Sequence, residues 1–222
     1  ALARKTSLFN RRTHEGVWNL QEGMPIRRLK GKQLGLLGFG NIGREVAQRA
    51  SAFGMEAMVG DPYIPEARIT DVGFTPAPDF AAALPEADMV TLHVPLNDET
   101  RHMIDAAALA AMKKGALLIN TCRGPVVDEA SLIAALQAGQ IAGAGLDVFE
   151  VEPTPPDNPL LNMDNVIVTP HSAGTSDSSV TGGLAQIGDE TARLLSGTWP
   201  MSLANPGVRE KLPPRPAAKN VP

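Results

Sequence analysis

A chain of 222 residues with 43% apolar side chains has enough material for one large core, or one core with an appendage, and reads as globular. No run approaches the ~18 apolar residues of a membrane span, and the early Arg4 and Lys5 are not followed by the apolar block of a signal peptide. The single cysteine excludes an internal disulfide framework and a cysteine-rich metal centre, so a cytoplasmic protein without a metal or a membrane partner is expected.

The net charge of −4 conceals a basic start: residues 1–32 hold eight Lys/Arg against two Glu, and the remainder hold twelve against twenty-two acids. Because Arg4, Lys5, Arg11 and Arg12 are interspersed with Leu2, Leu8 and Phe9, residues 1–13 read as the end of a helix with one wet face. A nucleic-acid arm is the weaker reading. Residues 14–32, with Gly16, Trp18, Gly23 and Pro25, read as an irregular connection wrapping onto the first strand.

The apolar run 33–37 is short enough for a buried strand and leads through Gly38-Phe39-Gly40-Asn41-Ile42-Gly43 into the helix-forming stretch 44–50. In a strand, tight turn and helix, these glycines fit a dinucleotide fingerprint. Gly38 permits the turn, Gly40 lets a pyrophosphate approach, Gly43 lets helix and strand pack, and the amides of Asn41 and Ile42 lie at the helix start. A second strand at 55–59 ends at Gly60-Asp61, eighteen positions after Gly43. A carboxylate there accepts from both ribose hydroxyls and repels a 2′-phosphate, which favours NAD over NADP. An NADP-linked chain calls for a basic residue next, where Pro62-Tyr63-Ile64 stands. Asp61-Pro62 is also a good turn pair, and the two roles are compatible.

Prolines 62, 65, 76 and 78 punctuate a segment with one short apolar piece near Phe74. Regular alternation then resumes: helix 79–84, strand 89–94, helix 105–112, strand 116–120, helix 128–138 ended by Gly139, strand 142–147 and a last strand 166–168. Such alternation predicts right-handed crossovers and a doubly wound, Rossmann-like α/β parallel sheet, with ligands beyond the carboxyl ends of its strands. Asp61, Pro95, Arg123, Asp147 and His171 all stand at such ends. A final helix, 176–196, precedes a tail containing Pro200, Pro206, Pro213, Pro214, Pro216 and Pro222, read as extended or disordered. The domains expected are thus 1–13, a dinucleotide-binding domain 14–175, and 176–222.

Five stretches, in order, carry a resemblance. They are residues 34–43, Leu92-His93-Val94-Pro95-Leu96, Asn120-Thr121-Cys122-Arg123-Gly124, residues 146–153 and Thr169-Pro170-His171. Together they resemble the D-isomer-specific 2-hydroxyacid dehydrogenases, the group of D-3-phosphoglycerate dehydrogenase and glyoxylate/hydroxypyruvate reductases. The resemblance implies NAD-dependent interconversion of a D-2-hydroxy acid and its 2-oxo acid, with Arg123, Glu152 and His171 as catalytic residues. A forked guanidinium holds a carboxylate and polarises a carbonyl, His171 moves the proton, and Glu152 orients the imidazole. It also implies cofactor contacts at His93, Pro95, Thr121, Cys122, Asp147, His171 and Ala173, Asp147 lying near the nicotinamide carboxamide.

Taken singly, each catalytic candidate has a plainer role: Arg123 in a surface turn, Glu152 before a proline-rich loop, His171 packed in a loop. His93 reads as a strand-end packing residue, His14 and His102 as superficial, and Cys122 as a small buried side chain. Ser172-Ala173-Gly174 departs from the family's more usual apolar-then-glycine pattern. The resemblance also implies a homodimer and a preceding substrate-binding domain; without that domain, weak turnover is expected. An NAD(H)-sensing corepressor of related fold is the alternative.

Overall fold

Strands buried on both faces need apolar residues at successive positions, and Leu34, Leu36 and Leu37, each at most 5% exposed, meet that demand in the strand that fixes the sheet. In the computed structural model, which describes residues 1–211, the elements in chain order are α1 (Thr6–His14), β1 (Gln33–Leu37), α2 (Asn41–Ala52), β2 (Glu56–Gly60), α3 (Glu66–Thr70), β3 (Thr75–Pro76), α4 (Phe80–Ala83), β4 (Met89–Leu92), α5 (Ala106–Ala111), β5 (Ala116–Asn120), α6 (Glu129–Gln137), β6 (Ile141–Leu146), β7 (Val166–Val168), α7 (Asp177–Leu195) and α8 (Val208–Lys211). The strands form one seven-stranded sheet in the order β3-β2-β1-β4-β5-β6-β7, and every pairing is parallel. The winding reverses between β1 and β4. That is the switch point where a doubly wound sheet opens a crevice at its carboxyl edge.

Alternate residues of each strand feed separate cores. Leu34, Leu36, Val59, Met89 and Leu117 pack on one side; Leu37, Val90, Leu92, Leu118 and Leu146 pack on the other. Such two-sided burial is the usual condition of a parallel sheet and leaves only the strand ends for chemistry.

Several expectations need revision. The proline-punctuated segment holds a short helix, α3, and a two-residue edge strand, β3; an edge position is where a proline such as Pro76 loses no ladder bond. Residues 1–13 are not one helix, because a 3₁₀ turn at Leu2–Arg4 ends in left-handed Lys5 (φ 55°) before α1 begins. Ala3 and Leu8 are buried, and this segment lies within the compact unit Ala1–Ala173. α2 starts at Asn41, earlier than expected, so Asn41, Ile42 and Gly43 are its first turn.

A second unit begins at Gly174. Its α7 opens with a reciprocal cap between Ser176 and Ser179. Within the expected tail the described part includes a short helix, α8, a correction to the extended reading. Pro213, Pro214, Pro216 and Pro222 lie outside the described residues.

Candidate active site

The cofactor end is built from backbone. Gly38 has φ 94°, and a side chain there would meet the His93 carbonyl oxygen at 2.6 Å. Gly43 packs so closely that an added Cβ would lie 2.1 Å from the Gly38 oxygen, whereas one at Gly40 would meet nothing within 4 Å. The turn is therefore closed behind and open in front. Helices α4, α5 and α6 are each capped by an aspartate side chain, but α2 begins at Gly40 with no side-chain cap. The exposed residues Asn41 and Ile42 leave uncapped amides at its positive end, a fitting cradle for a pyrophosphate.

Asp61 follows β2 and ties this turn down: its Oδ2 accepts from Phe39 N at 2.7 Å and its Oδ1 from Tyr63 N at 2.9 Å. Both expected roles are thus available, since the carboxylate closes its own turn and faces the glycine loop. β4 ends at Leu92, shorter than expected, which places His93 just beyond the strand. Burial holds the His93 pKa down from 6.5 to about 4, so the ring is neutral, and its Nε2 is 3.0 Å from Thr91 Oγ1. Pro95 is exposed, and its carbonyl accepts from Thr100 Oγ1 at 2.6 Å.

The other end, which holds the catalytic candidates, is built from side chains. Asn120, the polar last residue of β5 and 1% exposed, accepts from Cys122 N at 3.1 Å and donates to the Arg123 carbonyl at 3.0 Å. This fixes the loop that presents Thr121 and Arg123 to solvent. Cys122 is partly buried, with Sγ 3.1 Å from Asn120 Oδ1, and burial pushes its pKa up, the opposite of an activated nucleophile.

Asp147, 3% exposed just past β6, serves the next loop. Its carboxylate accepts from Thr169 Oγ1 at 2.5 Å, Ser172 N at 2.9 Å and Ala173 N at 2.9 Å, while its carbonyl accepts from His171 N at 2.8 Å. Burial raises the Asp147 pKa, but these donors outweigh it and the net shift is downward. The unusual Ser172-Ala173 pair therefore supplies amides, and its side chains are not required for the hold. His171 is held at φ 51°, a left-handed conformation that histidine enters more readily than most residues.

Glu152 completes the arrangement. Its Oε1 accepts from Phe149 N at 2.9 Å and its Oε2 lies 2.7 Å from His171 Nδ1. The hydrogen bond to His171, then that from Phe149, lowers the Glu152 pKa, so the carboxylate stays ionised. A carboxylate on Nδ1 keeps the proton on that nitrogen and leaves Nε2 without a hydrogen-bond partner among the described residues. Arg123, Glu152 and His171 follow β5, β6 and β7, three neighbouring strands spaced ~5 Å apart. The sequence alone assigns no role to Asn120 or Thr169; a polar residue ending an apolar strand is the available signal for Asn120.

Residues 1–173 match the family model described as D-isomer specific 2-hydroxyacid dehydrogenase, NAD binding domain. The chain is 40% identical over 218 residues to a glyoxylate reductase of Korarchaeum cryptofilum, covering 96% of this chain and 65% of that protein. It is 41% identical to a D-3-phosphoglycerate dehydrogenase of Methanocaldococcus jannaschii, over 89% of this chain and 38% of the other. The crystal structure of D-lactate dehydrogenase with NAD+ from Lactobacillus jensenii superposes with a TM-score of 0.81 at 34% identity, covering 92% of this chain and 64% of that one. The chain thus spans less than two thirds of each of these relatives. An uncapped glycine turn at a sheet switch point, with Arg, Glu and His after three adjacent strands, agrees with that match, and the chain belongs to the D-isomer specific 2-hydroxyacid dehydrogenase family, its first 173 residues being the NAD binding domain.

Proposed function

We propose that the protein interconverts a D-2-hydroxy acid and its 2-oxo acid with NAD(H), on a small substrate of the 3-phosphoglycerate, glyoxylate or hydroxypyruvate kind. The observation that carries this reading is the 2.7 Å pairing of His171 Nδ1 with Glu152, which leaves Nε2 for proton transfer. When bound, the reduced nicotinamide supplies the hydride. The Arg123 guanidinium, exposed and in no ion pair among the described residues, grips the substrate carboxylate and draws electron density from the carbonyl. As negative charge grows on the carbonyl oxygen, His171 Nε2 donates its proton there, and Glu152 on Nδ1 holds the ring in place for the transfer. In the oxidative direction the neutral ring takes the hydroxyl proton. Asp147, already holding the loop of His171, lies near the nicotinamide carboxamide in this reading, and Thr121, Cys122, Pro95 and Ala173 line the cofactor's path.

The reading includes a homodimer in the cytoplasm, on family resemblance alone. It also includes weak turnover by these 222 residues alone, because Arg123 and the half-exposed His171 need a closed, dry cleft to react efficiently. The test is NADH oxidation by the complete protein against a panel of 2-oxo acids, with Arg123→Ala as control. Arg123→Ala should lower kcat/KM by ~10²-fold or more while NADH affinity holds. Equal turnover by the variant would contradict the assignment.

A further inference from the structure

His102, which reads from sequence as superficial, is joined to both catalytic loops. It stands in a turn between β4 and α5 with φ 52°. Its backbone N–H donates to the Pro125 carbonyl at 2.8 Å, and the chain that follows continues this join: Ile104 N donates to Val126 O at 3.1 Å and Asp128 N to Ile104 O at 3.0 Å. The turn of His102 is thus zipped to the segment that follows Arg123. Its side chain points to the other loop. His102 Nε2 lies 2.5 Å from Glu150 Oε1, and Nδ1 faces Asp128 Oδ2 at 3.9 Å.

Glu150 is two residues before Glu152. Its Oε1 is buried and takes no aligned hydrogen bond among the described residues, and the His102 imidazole is the side chain set against it. The Glu150 amide is fixed from a third direction: it donates to Glu129 Oε2 at 3.0 Å, and Glu129 Oε1 accepts from Asn158 Nδ2 at 2.6 Å. The two loops also press together directly, since a Cβ on Gly124 would sit 1.7 Å from the Phe149 oxygen. Phe149 N is the donor that orients Glu152. A small displacement of residues 149–150 therefore moves the carboxylate behind His171.

We propose that His102 is a positioning residue: through its side-chain contact with Glu150 it sets the turn that places Glu152 on His171 Nδ1, and through its backbone it keeps that turn in register with the Arg123 loop. The inference rests on the reading of Glu152 and His171 as the working pair, but it is tested without turnover, so the two fail separately.

The experiment follows the Glu152 side-chain carboxyl by 13C NMR titration in the 222-residue chain, with Glu152→Gln identifying the resonance. In the wild type this group titrates below the ordinary glutamate range. His102→Asn keeps a residue that tolerates positive φ but is too short to reach Glu150. Glu150→Gln keeps the shape and removes the charge. Each variant should move the Glu152 midpoint up toward the ordinary range, and the double variant should move it no further than either alone. If His102→Asn does not fold, Glu150→Gln decides the matter. A folded variant in which Glu152 titrates as in the wild type, even with a lowered Tm, overturns the proposal, as does a double variant whose two shifts simply add.

Discussion

The ends of β1 and β2 and the ends of β5, β6 and β7 solve opposite problems. At the first, the chain leaves backbone bare: Gly40 faces open space and α2 has no side-chain cap. At the second, polar side chains occupy the backbone donors: Asn120 and Asp147, both buried, and Glu152, exposed, each accept from backbone N–H groups in the loops that carry Arg123, His171 and Glu152. A pyrophosphate is the same in every dinucleotide and is recognised by amides, which any sequence has once glycine opens the way. Proton transfer needs one imidazole nitrogen in one orientation, and that requires side chains whose own positions are fixed. The difference teaches that the cofactor half fails by obstruction and the half that holds Arg123, Glu152 and His171 by loosening.

Three changes test this contrast, from the largest effect to the smallest. Gly43→Val drives a side chain into the Gly38 carbonyl, 2.1 Å from where its Cβ must go. A loss of about 3 kcal/mol in unfolding free energy, the upper end for overpacking, should accompany loss of NADH binding. A variant of unchanged Tm and NADH affinity would show the cradle is not rigid.

Asp147→Asn loosens the other half. An amide cannot accept from Ser172 N and Ala173 N through both its ends, so buried donors lose partners at a cost of ~2 kcal/mol. Because the folded Asp147 pKa is depressed, its contribution is complete above the unfolded value of about 3.9 and is lost as pH falls through the lower folded value. The stability gap between wild type and variant, measured by urea unfolding, should therefore be constant near neutrality and narrow below pH ~4. A gap that widens in acid would contradict the assignment.

His93→Gln should have the smallest effect at neutral pH. Burial lowers the folded pKa from 6.5 to about 4, so the unfolded chain takes up the proton first, and stability is lost as pH falls from 6.5 toward 4. The variant should lack that part of the slope, which is bounded by ~3 kcal/mol and reduced by the partial exposure of the ring. Parallel curves for the two proteins would mean that His93 is not kept neutral by burial.

Legibility in the sequence follows the same division. The glycine turn, Asp61 and the strand ends were visible because backbone recognition and parallel packing leave periodic, local marks. α3 and β3 were not, since one turn of helix and two residues at a sheet edge barely disturb a proline-rich pattern. Arg123 and His171 stand out at strand ends and, with Glu152, through family resemblance, but the pairing of Glu152 with His171 spans 19 residues and exists only once β6 and β7 lie side by side. For the same reason Thr169 on Asp147 and His102 on Glu150 could not be foreseen. No local pattern records a contact made across loops.

The most direct test of the cofactor half is a fluorescence titration of the 222-residue chain with NADH and with NADPH, repeated on Asp61→Ala. Saturable binding that favours NADH, with the preference reduced ~10-fold or more in the variant, is the predicted result. Equal or tighter binding of NADPH by the wild type, or no binding of either by a chain with a folded far-UV spectrum, would contradict the account.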